Sequence, residues 1–273
     1  MQIPPSTELS PFIKHYLFLD SKGNDFKKLR LFSDANTGLV FSFKSKLISN
    51  YTDDNHVKYT PNAFLYGQFS EFMDIYAAGE ISIAVIVFKP FGVNQLLRVP
   101  ADELLNKIVP VEDLFGNDIL ELHQKLASST VKEKVDLLNQ YFISFLRKNP
   151  IRNQLLIVPS LNFILENKGK VSVQELVEHS GYTERHIERL FLESVGLNPK
   201  NFCNIVKLHS FLKQLKSKSK EMNITQIAYE AGYSDQSHLN KAFKKYTGMT
   251  PKEYLNRADA LTVNFIHLPG AKE

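Results

Sequence analysis

Side chains suited to catalysis are few and scattered in this chain of 273 residues. It has eight histidines and one cysteine, Cys203, and no Cys/His cluster with metal-binding spacing. A Gly-rich phosphate loop, His-Glu-x-x-His and Gly-x-Ser-x-Gly are also missing. His15 and His56 would bind a metal only if the fold brought them together. We therefore expect no enzyme, no metal and no cofactor, and we interpret Cys203 as a packing residue.

A different set of residues occurs twice between residues 173 and 254, which indicates a duplicated structural unit. Three residues recur 51 positions later: Leu176, Gly181 and Tyr182 as Ile227, Gly232 and Tyr233. Four more recur at a spacing of 52: His186, Phe191, Gly196 and Pro199 as His238, Phe243, Gly248 and Pro251. The second copy has therefore gained one residue in its turn, between Gly232 and His238.

Capping residues predict where the helices of each unit begin and end. The expected capping boxes are Ser172 with Glu175 and Asn223 with Gln226. Gly181 and Gly232 are expected to end those first helices, because glycine adopts a left-handed conformation cheaply. The expected caps of the helices that follow are Thr183 and Ser234, then Asn198 and Thr250, each of the last two preceding a proline.

Charge is unevenly distributed along the chain. Residues 151 to 258 carry 16 Lys and Arg against 10 Asp and Glu, whereas the remainder carries 17 against 19. A basic segment joined to a slightly acidic one is typical of a nucleic-acid reader attached to another functional module. The longest apolar run, Ile83 to Phe88, is far shorter than the roughly 20 residues of a membrane span, and the first residues lack a signal-peptide layout. We expect a cytoplasmic location and no membrane partner.

Residues 155 to 256 resemble the DNA-binding region of the AraC/XylS family of bacterial transcription regulators. The most specific stretches lie in the second unit: Ile224 to Ser234, His238-Leu239, Phe243 to Lys245, Gly248 and Thr250-Pro251. The resemblance implies two helix-turn-helix motifs joined by a long helix, here about Ile205 to Leu215. It also implies promoter DNA and RNA polymerase as partners. The first hundred residues resemble the family's sensor domains more weakly, through Val87 to Gly92.

The second helix of each unit, about residues 183–195 and 234–246, is expected to enter a major groove. By resemblance and helix geometry, the base-reading candidates are Arg185, Glu188, Arg189, Gln236, Ser237, Asn240 and Lys241. The candidates for phosphate contacts are Thr183, His186, Ser234, His238, Lys244 and Lys245. The first helix carries a net charge of −1 and the second +2. We therefore expect the second unit to anchor the complex and the first to contribute mainly selectivity.

The expected fold class is α+β, with a β-rich, cupin-like sandwich or barrel followed by an all-α domain of two helix-turn-helix motifs. Four apolar segments bounded by turn residues predict strands: His15–Leu19, Leu39–Phe43, Ala63–Phe69 and Ile81–Phe88. A helical period begins near Ala101. The expected domains are 1–149, with helices over about 101–148, and 150–258, followed by a tail over 259–273. Asn149-Pro150 is the expected boundary.

Three further hypotheses concern partners. An apolar effector pocket is predicted inside the β-rich domain, lined by Phe18, Phe41, Phe43, Phe64, Tyr66, Val85 and Val87, although the same residues would equally fill an ordinary core. A homodimer is the family expectation, with the helices from Val131 to Arg147 as the candidate surface. Two alternatives remain open: a protein-binding module that uses the duplicated helices, and a ligand-processing enzyme with an accessory DNA-binding domain.

Overall fold

The computed structural model describes residues 1–23, 26–51, 57–148, 156–218, 222–257, 259–260 and 265–268. These parts of the chain form twelve β-strands, and their bounds are β1 Gln2–Ile3, β2 Ile13–Ser21, β3 Phe26–Leu31, β4 Gly38–Ser42, β5 Leu47–Tyr51, β6 Val57–Tyr59, β7 Ala63–Tyr66, β8 Met73–Ala78, β9 Ile81–Phe88, β10 Ile108–Pro110, β11 Asp259–Ala260 and β12 Phe265–Leu268. The helices are α1 Glu112–Phe115, α2 Asp118–Ala127, α3 Val131–Lys148, α4 Ile157–Glu166, α5 Val173–Ser180, α6 Glu184–Val195, α7 Pro199–Lys218, α8 Ile224–Glu230, α9 Gln236–Thr247 and α10 Pro251–Arg257.

The strands form two antiparallel sheets that face each other. The first sheet has the order β1-β2-β9-β4-β7-β10, and the second has the order β11-β12-β3-β8-β5-β6. Strand β9 shows how the first sheet is buried on both faces. Val85 and Val87 pack in the apolar cluster between the sheets, whereas Ile86 and Phe88 belong to the cluster shared with the helices. Successive side chains of a strand point to opposite faces, so one strand contributes to both cores.

The β-rich prediction for the first hundred residues is confirmed, since the four predicted segments fall on β2, β4, β7 and β9. The helical prediction is wrong just after Ala101. That segment forms a short 3₁₀ turn over Asp102–Leu104 and then β10, which pairs with the edge of β7. Pairing with the free edge of β7 provides hydrogen bonds for the backbone groups of both strands. This stabilisation is greater than that of the weak helical preference of the segment. Helices follow from α1 onward, and the predicted boundary at Asn149-Pro150 lies outside the described residues.

The C-terminal half contains the duplicated unit as predicted. Helices α5 and α6 form the first unit, α8 and α9 form the second, and α7 connects them. The connector is longer than the predicted Ile205 to Leu215, because Asn198 caps it at Pro199: the Asn201 amide donates to Asn198 Oδ1 at 2.8 Å. Among the described residues, no helix combines the length and apolar character needed to cross a bilayer.

The segment after α10, predicted as a C-terminal tail, instead supplies strands to the second sheet. Strand β12 pairs with β3, so that Ile266 lies opposite Arg30. Phe265 faces the cluster between the sheets, and Ile266 is fully buried in the cluster shared with the helices. Apolar residues on both faces of this short segment fit a strand that lies inside the sheet, between β11 and β3, with a core on each side. The end of the second unit is thereby joined to the N-terminal sandwich.

Candidate DNA interface

The first unit folds around the predicted caps. The Glu175 amide donates to Ser172 Oγ at 3.2 Å, and the Ser172 amide donates to Glu175 Oε2 at 2.8 Å, which completes the capping box of α5. Gly181 ends α5 with φ +71°, as expected for a left-handed cap. Thr183 then caps α6 by accepting from the His186 amide at 3.3 Å. These bonds fix where the exposed face of α6 begins.

The second unit repeats this design with two changes. The C-cap of α8 is Ala231 rather than the predicted Gly232, and Gly232 follows it with a left-handed φ of +88°. Asn223 and Gln226 form the predicted capping box, with bonds of 2.9 and 3.1 Å. The cap of α9 is Asp235 rather than the predicted Ser234, and Asp235 Oδ1 accepts from the His238 amide at 2.7 Å. The extra residue in this turn explains the correction, because Asp235 lies 52 positions after Thr183. The bond from the His238 amide is the main reason why the pKa of Asp235 lies below its ordinary value.

Both recognition helices, defined as α6 and α9, bury equivalent apolar faces. Phe191 packs at 68° to the ring of Phe202, with centroids 5.8 Å apart, and Phe243 packs at 84° to Phe211 at 5.9 Å. All four rings are fully buried. Aromatic rings prefer such edge-to-face contacts. Because one face of each helix is fixed to the core, the opposite face points to solvent.

The structure places the base-reading candidates on these outward faces. Six of them are exposed: Arg185, Glu188, Arg189, Gln236, Ser237 and Lys241. Asn240 is half-buried, and Gln236 Oε1 accepts from Thr225 Oγ1 of α8 at 3.4 Å. The two clusters can donate to guanine and adenine edges and accept from cytosine. Their roles as base readers stay predictions.

The phosphate candidates border the same faces. Five of them are exposed: Thr183, Ser234, His238, Lys244 and Lys245. His186 is half-buried and its ring lies 4.6 Å from that of Tyr182. The Ser234 hydroxyl lies 3.1 Å from His238 Nδ1, so the two groups form a polar pair beside the start of α9. Helix starts and cations are the usual phosphate ligands.

Cys203 is a buried packing residue, as predicted, and burial raises the pKa of its thiol to about 11. A thiol with that pKa stays protonated and is a poor nucleophile near neutral pH. Among the described residues, no group of three His, Cys, Asp or Glu side chains is arranged to hold a metal ion. His56 lies outside those residues, so the pairing of His15 with His56 is not described.

Sequence reasoning missed two contacts between the sandwich and the recognition helices. The Ala101 amide donates to Glu193 O near the end of α6 at 3.0 Å. Arg30 Nη1 donates to Thr247 O at the end of α9 at 3.2 Å. The partners are 92 and 217 positions apart in the sequence. No local pattern signals a contact over such distances.

A cavity of about 1060 Å³ extends from the space between the sheets toward α4 and α7. Of the predicted effector-pocket residues, four line it: Phe64, Tyr66, Val85 and Val87. Phe18, Phe41 and Phe43 do not, which corrects the prediction for these three. Phe41 and Phe43 stack on His123 at 5.9 and 5.5 Å, and Phe18 packs in the cluster shared with the helices. The alternation along each strand turns them away from the other sheet.

The end of the cavity near the helices is cationic. Lys14, Lys89 and Lys213 line this end together with the carboxylate of Asp34. Lys14 Nζ lies 3.6 Å from Asp34 Oδ2. Burial opposes the ionisation of Asp34, but the charge of Lys14 and the bonds from Asn36 keep its pKa below the ordinary value. The single carboxylate of Asp34 is therefore outnumbered by the lysine side chains at this end of the cavity.

Comparison with known proteins assigns the class of the C-terminal region. Residues 176–257 match the family described as "Helix-turn-helix domain", and residues 1–110 match a domain of unknown function, DUF6597. The C-terminal region therefore carries an AraC-type helix-turn-helix domain.

Two relatives carry names of the same class. An uncharacterised HTH-type transcriptional regulator of Staphylococcus aureus strain MSSA476 is 28% identical over 148 residues, which is 52% of this chain and 20% of the relative. One from Haemophilus influenzae is 27% identical over 161 residues, covering 54% of this chain and 51% of the relative. The match to the first of these relatives thus spans only about a fifth of that protein's length.

Solved structures with a similar course of the chain include ToxT from Vibrio cholerae and the C-terminal domain of AraT, a response regulator from Geobacillus stearothermophilus. ToxT is 16% identical with a TM-score of 0.47, covering 88% of this chain and 97% of ToxT. The AraT domain is 20% identical with a TM-score of 0.35, covering 41% of this chain and 93% of that domain.

Proposed function

We propose that the whole chain is a sequence-specific DNA-binding transcription regulator. The observation that carries this proposal is the pair of capped helices, α6 and α9, each with its apolar face buried and a row of exposed polar side chains opposite. A helix of about 10 to 12 Å diameter fits the major groove. Residues 150–258 would form the DNA-binding domain and residues 1–149 the regulatory domain.

Each unit would read one box of a tandem, asymmetric site. Two helices held about 34 Å apart can enter successive major grooves on one face of the duplex. The exposed candidates Arg185, Arg189, Gln236 and Lys241 would contact base edges, and the lysines near the end of α9 would contact phosphates. The chain would act in the cytoplasm, where it would meet both promoter DNA and RNA polymerase. A homodimer through α3 is a further proposal, although the apolar face of α3 already packs on the sandwich core.

The cavity supports a second part of the proposal, an amphipathic anion as effector. Its volume of about 1060 Å³ is slightly larger than the range of about 300 to 1,000 Å³ that is typical of ligand sites. Phe64, Val85 and Phe265 line its apolar part, whereas Lys14 and Lys213 line the end near the helices. A ligand with an apolar body and an anionic head satisfies both regions. Such a ligand would regulate DNA binding only if its affinity differed between the domain arrangement that binds DNA and an arrangement that does not.

The DNA-reading proposal is tested by selection from a pool of random duplexes with the full chain. We expect one enriched pair of boxes and a steep salt dependence. Arg189→Ala and Lys241→Ala should each cost about 1 to 3 kcal/mol and relax one position of the motif. Lys125→Ala is the control, because Lys125 is exposed on α2, outside both units and outside the proposed dimer surface. Weak binding without base preference would favour the protein-binding alternative.

The effector proposal is tested by thermal unfolding with straight-chain carboxylic acids and with primary alcohols of equal length. We expect the acids to raise the unfolding midpoint more than the alcohols, because only they pair with the cationic end. Lys213→Met should reduce that difference, since Lys14 and Lys89 remain at the cationic end. Lys200→Met is the matched control, since Lys200 lies on the same helix and does not line the cavity. Equal stabilisation by both ligand series would contradict an anionic head group, and turnover of a ligand would favour the enzyme alternative.

A further inference from the structure

The two recognition helices are each held at the C-terminal end by the sandwich, but by different parts of it. Helix α6 is bound by Ala101, which lies between β9 and β10, and both of these strands belong to the first sheet. Helix α9 is bound by Arg30 in β3 of the second sheet. The two sheets therefore hold the two reading elements separately.

The contact at α9 is built from charged and aromatic groups. The Arg30 guanidinium donates to both carboxylate oxygens of Asp74, at 2.6 and 2.8 Å, and lies 4.0 Å from the centre of the Phe72 ring. Its remaining Nη1 donates to Thr247 O. The ion pair and the ring fix the guanidinium in one orientation, and a cation at a helix C-terminus interacts favourably with the helix dipole. The Arg30 side chain is only 11% exposed.

Glycine allows the close approach at both contacts. Gly196 and Gly248 end the two recognition helices with φ +79° and +71°. A Cβ at Gly196 would lie 2.5 Å from Ala101 O, and a Cβ at Gly248 would overlap Arg30 Nη1 and the ring of Phe72. Gly196 and Gly248, which are equivalent positions of the repeat, thus both lie against the sandwich. The sandwich residues that they contact are unrelated in sequence.

We infer that the sandwich sets the separation of the two recognition helices, with Arg30 as a positioning residue for the reading of DNA. The connector α7 joins the units covalently, and the two contacts hold the C-terminal end of each recognition helix against the sandwich. Two linked binding modules bind most tightly when the distance between the modules matches the distance between their two sites. Loosening one contact should therefore reduce the preference for one box spacing and leave the sequence of each box unchanged. This inference rests on the proposed DNA-reading function.

The test is selection from random duplexes with full-length variants, read as the distribution of spacings between the two boxes. Arg30→Ala should broaden this distribution, and the preference for the best spacing over its neighbours should fall about tenfold. Lys28→Ala is the matched control: Lys28 pairs with the same Asp74 carboxylate at 3.0 Å, and its bonding does not involve α9. We expect that variant to keep the wild-type spacing.

A second pair of variants approaches the same contact from the other side. Gly248→Ala should broaden the spacing as Arg30→Ala does, because its new Cβ would displace Arg30 and Phe72. Gly181→Ala is the control, since Gly181 has the same φ of +71° and a Cβ added there would meet no neighbouring atom within 4 Å. It imposes similar backbone strain without any contact to the sandwich.

The outcomes separate the two proposals. If the wild type enriches a two-box site and both Arg30→Ala and Gly248→Ala keep its single spacing, the inference is overturned and the DNA-reading function stands. If the wild type enriches no two-box site, the proposed function fails and the inference fails with it. Circular dichroism of each variant establishes that it is folded, and Gly248→Ala carries the test if Arg30→Ala does not fold.

Discussion

The two helix-turn-helix units share a core and differ on their surfaces. Each has a capping box, a recognition helix of twelve residues and a fully buried phenylalanine, Phe191 or Phe243. Their recognition helices carry opposite net charges with different caps, Thr183 and Asp235. The first unit contacts the segment around Ala101, whereas the second contacts Arg30 and is followed by β12.

This difference shows which features of a duplicated unit are constrained. The core and the helix starts must keep their geometry, because buried rings and orphan amides need specific partners. The outward side chains carry no such constraint, so one recognition helix can become basic and the other acidic. The units have thereby acquired separate expected tasks, anchoring for the second and selectivity for the first.

Substitution of the core phenylalanines gives the largest expected effect and tests whether the two cores are equivalent. Phe191→Ala and Phe243→Ala should each lower the free energy of unfolding by about 3 to 5 kcal/mol, since each removes a fully buried ring. Chemical denaturation followed by circular dichroism measures both. A loss below about 1 kcal/mol in only one variant would show that the cores differ.

Truncation of Ile266 tests whether β12 stabilises only the second unit. Ile266→Ala should cost about 2 to 5 kcal/mol, because this fully buried side chain packs where the sandwich meets the helices. Hydrogen exchange should become faster in α9 and stay unchanged in α6. Leu268→Ala, at a half-buried position of the same strand, is the control and should have a smaller effect. Equal acceleration in both helices would contradict a role limited to the second unit.

The salt dependence of DNA binding tests the charge difference. Lys241→Ala with Lys244→Ala should reduce the slope of log affinity against log salt by about one unit, because Lys244 is a phosphate candidate and each phosphate contact contributes roughly 0.9. Arg185→Ala with Arg189→Ala should reduce the slope less and relax the base preference more. The reverse order in a salt titration would show that the first unit is the anchor.

The two caps should differ in their response to pH, which is the smallest expected effect. The folded pKa of Asp235 lies below its ordinary value of 3.8, so its stabilisation is present above about pH 4 and is lost as the pH falls through the folded pKa. Asp235→Ser keeps a cap without an ionisable group. In this variant the thermal unfolding midpoint should decrease less than in the wild type as the pH falls below about 4. Thr183→Asp should introduce the same dependence in the first unit. If the midpoint of the wild type and that of Asp235→Ser decreased equally at acidic pH, the Asp235 carboxylate would not be the stabilising cap.

Local patterns in the sequence predicted much of the candidate interface. The spacing of the repeat located both units, and Ser172, Asn223 and Thr183 marked helix starts that the structure confirms. Capping is a contact between residues two or three positions apart, so the sequence contains both partners. The cap at Asp235 was missed although the change in spacing from 51 to 52 already pointed to it.

By itself the sequence determined the duplicated unit, its caps, its buried faces and its charges, because each depends on residues close together in the chain. Only the tertiary structure decided that Ile108 and Phe265 lie in strands, that Phe41 faces the helices rather than the cavity, and that Arg30 reaches Thr247. These features depend on which sheet edge is free and on which surfaces meet. Partners in such contacts are distant in the sequence, and no local periodicity specifies them.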